Sequence, residues 1–128
     1  MARKTFAANE VLTAAETNLY LSNERKFTAS TAVAYTFTED DRYGMFRFTS
    51  GSAITLTLST ATAFEAGETI DVIQDGAGVV TVTAGTGVTI AGAGATATSF
   101  TIGSQYEAAS IICVDTDTYR IIGNVTGA

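Results

Sequence analysis

The chain has 128 residues, of which 46% are apolar and 16% charged; acidic side chains outnumber basic ones 13 to 7, the net charge is −6, and there is no histidine. This length suits one domain with a core of its own, and the acidic balance argues against a nucleic-acid binder, which needs a Lys/Arg footprint to displace counterions. Lack of histidine removes the commonest general base and transition-metal ligand, and the single cysteine, Cys113, cannot form an intrachain disulfide.

Residues 1–28 read differently from the rest. "MARKTFAANEVL" starts basic but has no apolar core of secretory-signal length, and no run approaches the roughly 20 apolar residues of a membrane helix. Thr13 with Glu16 has capping-box spacing, and Ala14 and Ala15 favour helix, so "TAAETNLYLSNER" predicts a short helix. Ala15 and Leu19 share its face. A helix of about three turns is marginal alone, so Leu19, and the preceding Phe6, Val11 and Leu12, need a partner surface. Arg3, Lys4, Arg25 and Lys26 gather at this end while the remainder is acidic. The partner surface is the chain's own domain, a symmetry mate or another protein, and the basic cluster is either a solvated end or a contact to an acidic surface; if the surface belongs to another protein, Arg3, Lys4, Phe6, Val11, Leu12 and Leu19 are the attachment residues.

From Thr31 the period becomes two, as in half-buried strands. "AVAYTFT" puts Val33, Tyr35 and Phe37 on one face; "MFRFT" puts Phe46 and Phe48 inward and Arg47 outward; "AITLTL" alternates Ile54, Leu56 and Leu58 with Thr55 and Thr57. Phe64 plugs the connection that follows, and "TIDVIQ" turns Ile70 and Val72 in and Asp71 out. "DGAG" stands between this run and "VVTVTA", which predicts a hairpin there, and "GTG" and "GAG" punctuate the runs up to "TATSFTI". "YEAASIICV", "DTD" and "TYRIIG" form a further strand–turn–strand, with Cys113 as a buried thiol. Eight or nine strands without an intervening helix predict an all-β fold: an antiparallel β-sandwich or jelly-roll-like domain over residues 31–128, or a small barrel, preceded by the short N-terminal helical anchor at 1–28.

The low charge has two readings: Thr solvates the surface, or the surface lies against partners. With no proline to blunt sheet edges, the edges are closed either by intermolecular pairing, as in a homotrimer, or by bulges and charge.

The glycines do not make a nucleotide site. Gly76 and Gly78 begin a G-x-G-x-x-G pattern, but Thr81 stands at its third position and no G-K-S/T follows. A cysteine without histidine makes no nucleophile pair. The acids Glu39, Asp40, Asp41, Glu65, Glu68, Asp71, Asp75, Asp115 and Asp117 lack the spacing of a calcium loop, and "EDD" and "DTD" read as solvated turns. No enzyme, metal or cofactor is expected. Tyr35, Tyr43, Tyr106 and Tyr119 could stack a sugar, although Tyr35 and Tyr119 sit inside strands, where packing is the default.

Two stretches carry a family resemblance. "FAANEVLTAAETNLYLSNE", through Glu10, Val11, Leu12, Thr13, Ala14, Ala15, Asn18, Tyr20 and Leu21, resembles the start of many small tailed-bacteriophage virion proteins, with Asn9 where Gly is frequent. "ITLTLSTATAFEAGETIDVIQDGAGVVTVTAGTGVTI" with "DTDTYRIIGN" resembles the β-rich domain of phage head-decoration, head-fibre and tail-appendage proteins, through Gly67, Ile70, Val72, Gln74, Gly76, Ala77, Gly78, Val80 and Thr81. The resemblance implies a non-enzymatic virion structural protein, a capsid decoration (cement) or head-fibre protein. It would be a homotrimer attached to the major capsid protein or neighbouring virion proteins through its N-terminal segment, with no nucleic acid or membrane partner. A tail-fibre or minor tail protein, and a carbohydrate-binding adhesin module that meets a host-surface glycan, are the alternatives.

Overall fold

A computed structural model describes residues 25–127; the expected attachment residues, from Arg3 to Leu19, and all of the expected helix but its last residue, Arg25, lie outside them. In chain order the strands are β1 (Phe27–Ser30), β2 (Ala34–Thr36), β3 (Met45–Phe48), β4 (Ile54–Leu58), β5 (Thr69–Gln74), β6 (Val80–Ala84), β7 (Thr89–Gly92), β8 (Ala95–Ala97), β9 (Ser99–Ile102), β10 (Glu107–Asp115), β11 (Thr118–Gly123) and β12 (Val125–Gly127). One 3-10 turn, Glu39–Asp41, is the only helical element among the described residues. The strands form a seven-stranded sheet, β1-β3-β5-β10-β11-β7-β8, and a five-stranded sheet, β12-β9-β6-β4-β2. Their inner faces share one apolar core, in which Phe46, Phe48, Ile70, Val72, Ile111 and Tyr119 meet Ile54, Leu56, Leu58, Val80, Val82 and Phe100.

The all-β expectation holds and the antiparallel one does not. The ladders β1–β3, β3–β5, β2–β4, β4–β6 and β11–β7 are parallel. Among the described residues twelve strands replace the expected eight or nine, because short pairings such as β8 and β12 carry too few residues for a visible period. Alternation reports which face a side chain occupies; it is blind to strand direction and to which of two sheets a strand joins.

The first six strands form three stacked rungs. Each rung lays one strand in the seven-stranded sheet, crosses over, and lays the next in the five-stranded sheet. Met45 faces Asp71 in one sheet and Ile54 faces Val80 in the other, both displacements of 26 residues, so the second and third rungs superpose without slippage. In the first rung the displacements are 18 and 21 residues (Phe27 to Met45, Ala34 to Thr55), so its crossing is three residues shorter. The crossings bond to one another: Thr49 N–H donates to Ser30 O at 3.0 Å, Asp75 N–H to Phe48 O at 2.9 Å, and Gly78 N–H to Ser50 O at 3.0 Å.

"DGAG" is therefore no hairpin. It lies in the crossing from β5 in one sheet to β6 in the other. Gly76 and Gly78 are there because backbone presses on backbone: a Cβ on Gly76 would lie 2.3 Å from Ser50 O, and one on Gly78 would lie 1.9 Å from Ser52 O. The later "GAG" does close a hairpin. Ala93 and Gly94, with φ of 50° and 82°, join β7 to β8 across the Gly92–Ala95 pair, the two-residue loop whose twist suits antiparallel strands. The β10–β11 hairpin also forms where expected, closing on Thr116 and Asp117. Cys113 and Phe64 are buried.

Candidate functional surfaces

The two outer faces of the sandwich differ in chemistry. Side chains pointing away from the core on the five-stranded sheet fall into two rows, Ala34–Thr55–Thr81–Thr101–Thr126 and Thr36–Thr57–Thr83–Ser99. None of its five strands carries a charged residue. The "TxT" alternation of β4 and β6, stacked at one constant register, produces this hydroxyl face.

The seven-stranded sheet presents apolar and ionic side chains instead. Its rows are Phe27–Met45–Asp71–Ser110–Ile122, Ala29–Arg47–Ile73–Ala108 and Thr69–Ile112–Arg120–Ala91. Phe27 and Ile122 are each 58% exposed. The charges in its first two rows are paired. Arg25 reaches Asp71, which also accepts from the Ser110 hydroxyl at 2.5 Å, and Arg47 meets Asp75 at 2.5 Å. Arg25 also donates to the backbone carbonyls of Tyr43 and Gly44, at 2.9 and 3.2 Å.

Arg25 and Lys26, read with the basic N-terminal end, thus bond to acids of the β-domain, and β1 begins at Phe27, inside the segment 1–28. Asp41, which "EDD" placed in a solvated turn, is buried, and so is Glu68. Asp41 is 1% exposed; its carboxylate accepts from Tyr35 Oη at 2.8 Å, from the Thr38 N–H at 2.9 Å and from Lys26 Nζ at 3.2 Å. Burial, then the bond to Asp41, pushes the Tyr35 phenol up to about 12. Glu68 is 4% exposed and pairs with Arg42, itself 3% exposed, at 2.9 Å. Sequence signals were thin: Asp41 sits three residues after Thr38, a spacing at which its carboxylate can reach back to the Thr38 N–H, but Glu68 and Arg42 have no local mark.

The tyrosines do not form one platform. Tyr35 packs on Phe37 and Phe46, with ring centroids 5.5 and 5.2 Å away, and Tyr119 is fully buried against Phe64. Tyr43 and Tyr106 are exposed but bond to Thr69 and Gln74, opposite ends of β5. Val33, expected on one face with Tyr35 and Phe37, is 50% exposed just before β2.

Two grooves of about 520 and 460 Å³ flank β8, the edge strand of the seven-stranded sheet, and neither has a titratable side chain in its lining. Among the described residues no three His, Cys, Asp or Glu side chains gather as a metal-ligand set. The only free cysteine among the described residues is Cys113, whose thiol burial pushes up, away from the reactive thiolate. No family model, curated protein or solved structure matches the chain.

Proposed function

We propose that this protein is a non-enzymatic structural component of a tailed-bacteriophage virion. The reading favoured is a capsid decoration or head-fibre protein, homotrimeric, held on the outer shell through its N-terminal segment. The observation that supports it is the placement of the residues behind the resemblance. Ile70, Val72 and Val80 fill the core, Gln74 closes the crossing, Gly76 and Gly78 let two crossings touch, and Gly67 takes a φ of 92°. The residues behind the resemblance are thus the scaffold of one rung, and their role there is to hold shape.

The test is cosedimentation of the full chain with purified particles, with mass spectrometry of the particles for its peptides. Light scattering should give three times 13.2 kDa. Association with tails and not with filled heads would move the protein to the tail-fibre or minor tail reading. Binding of the full chain to host glycans in the absence of any particle binding would favour the adhesin module.

A further inference from the structure

We propose that Lys26 and Asp41 are the partners of an intramolecular isopeptide bond, formed by the folded chain itself. The bond involves only groups of the β-domain and needs no virion. Among the described residues Lys26 is the one lysine; the other cationic side chains, Arg25, Arg42, Arg47 and Arg120, are guanidinium groups. Arginine is the usual choice for a buried ion pair, whereas a lysine amine is also a nucleophile. Here that amine lies 3.2 Å from Oδ1 of Asp41, the least exposed carboxylate among the described residues. Lys26 stands just before β1, whose only partner strand is β3, and Asp41 ends the 3-10 turn that leads into β3. A covalent link between them welds this edge strand to the fold.

The surroundings of the Asp41 carboxyl suit it as an electrophile. Its second oxygen, Oδ2, accepts from Tyr35 Oη at 2.8 Å, from the Thr38 N–H at 2.9 Å and from Thr38 Oγ1 at 3.4 Å. Donors already aimed at one oxygen are what a developing oxyanion needs. The Asp41 backbone is fixed too, donating to Thr38 O and accepting from the Gly44 N–H, each at 3.0 Å. The Tyr35 ring packs on Phe37 and Phe46, so the carboxyl lies beside apolar surface, where a neutral amine and acid gain on the charged pair. In that neutral pair one ammonium proton has passed to Oδ1. The Nζ lone pair then forms the N–C bond to Cγ, and the carbonyl electron pair moves onto Oδ2 under its donors. When the carbonyl re-forms, the Cγ–Oδ1 bond breaks, and Oδ1 leaves as water with its proton and a second one from nitrogen. Ammonium and carboxylate thus become amide and water, with no co-reactant. The half-exposed Lys26 side chain gives the water a way out. Proximity within one fold supplies the effective molarity, up to ~10⁵–10⁸ M for well-oriented groups, that separate amines and acids lack.

Intact-mass spectrometry of the full chain, folded and held at neutral pH, tests the bond without any substitution. Expected is a species one water lighter than the sequence, with tandem spectra placing the link between Lys26 and Asp41. A mass that stays at the sequence value after prolonged incubation overturns the proposal. So does a water loss located elsewhere, such as a succinimide at Asp75–Gly76, which has the same mass. The chain held in urea should keep its full mass, because the fold supplies the proximity; equal conversion there overturns the mechanism. Lys26→Arg keeps a cation beside Asp41 and should also stay at full mass, and water loss by this variant overturns the assignment. Tyr35→Phe keeps the ring and removes one donor to Oδ2, so conversion should slow by roughly a hundredfold; an unchanged rate overturns the role given to that oxygen's donors.

Discussion

The Gln74 side-chain carbonyl accepts the Val80 N–H at 2.9 Å, so one amide closes the crossing that carries the chain from one sheet to the other. Gln74 is 2% exposed and Val80 fully buried. Water cannot replace this bond. Gln74→Leu should leave the Val80 N–H buried without an acceptor and lower stability by about 1–3 kcal/mol. Urea unfolding checks it, with Thr57→Ala on the hydroxyl face as a reference expected to change stability by no more than ~0.5 kcal/mol.

Gly78→Ala should be the more damaging change, because its Cβ would lie 1.9 Å from Ser52 O, a backbone atom held by the stacked crossings. A loss of about 3 kcal/mol or more is expected, in the range of severe overpacking. Gly51→Ala tests the reason: a Cβ there meets nothing within 4 Å. Its midpoint in denaturant should stay near wild type, whereas equal losses at both positions would point to chain flexibility instead of contact.

The Arg42–Glu68 pair ties the 3-10 turn to the approach of β5. Glu68 also accepts the Glu65 N–H at 2.5 Å. Glu68→Ala should cost up to roughly 3–5 kcal/mol by removing the nearer, buried partner of a buried guanidinium, which then keeps only the exposed Glu39 carboxylate, at 3.9 Å, of the two acids it pairs with here. The double change Arg42→Met with Glu68→Leu should recover most of that loss, since it buries no charge. Thermal melts of the wild type and the two variants at low and high salt should keep this order, because a buried pair is weakly screened.

Alkaline pH should unfold the protein through Tyr119. Burial is the main cause pushing its phenol up to about 12, from 10.0, with the backbone of Phe64 opposing. Above pH 10 the unfolded chain has released a proton that the fold still holds, so stability falls as pH rises from about 10 towards 12 and is unaffected below that window. Tyr35 acts in the same direction. Tyr119→Phe should flatten the alkaline limb of a stability–pH curve measured in urea, and Tyr35→Phe with Tyr119→Phe should flatten it further.

What the sequence determined by itself is which side chains of these strands face inward. Ile54, Leu56 and Leu58 against Thr55 and Thr57, Phe46 and Phe48 against Arg47, and Ile70 and Val72 against Asp71 all fall as alternation assigns them, because a strand's two faces are fixed by the geometry of its own backbone. The β10–β11 turn is local in the same way. Tertiary structure decided the rest. A five-residue connection such as 75–79 can return a strand beside its neighbour or carry it to the other sheet, and only the stacking of 75–79 on 49–53 selects the second. Asp41 and Glu68 are buried because Lys26, Tyr35 and Arg42 reach them from other elements. The opposed outer faces likewise come from register between rungs: the alternation of each strand says what points outward, but a Thr row or an apolar row exists only once strands distant in sequence lie side by side.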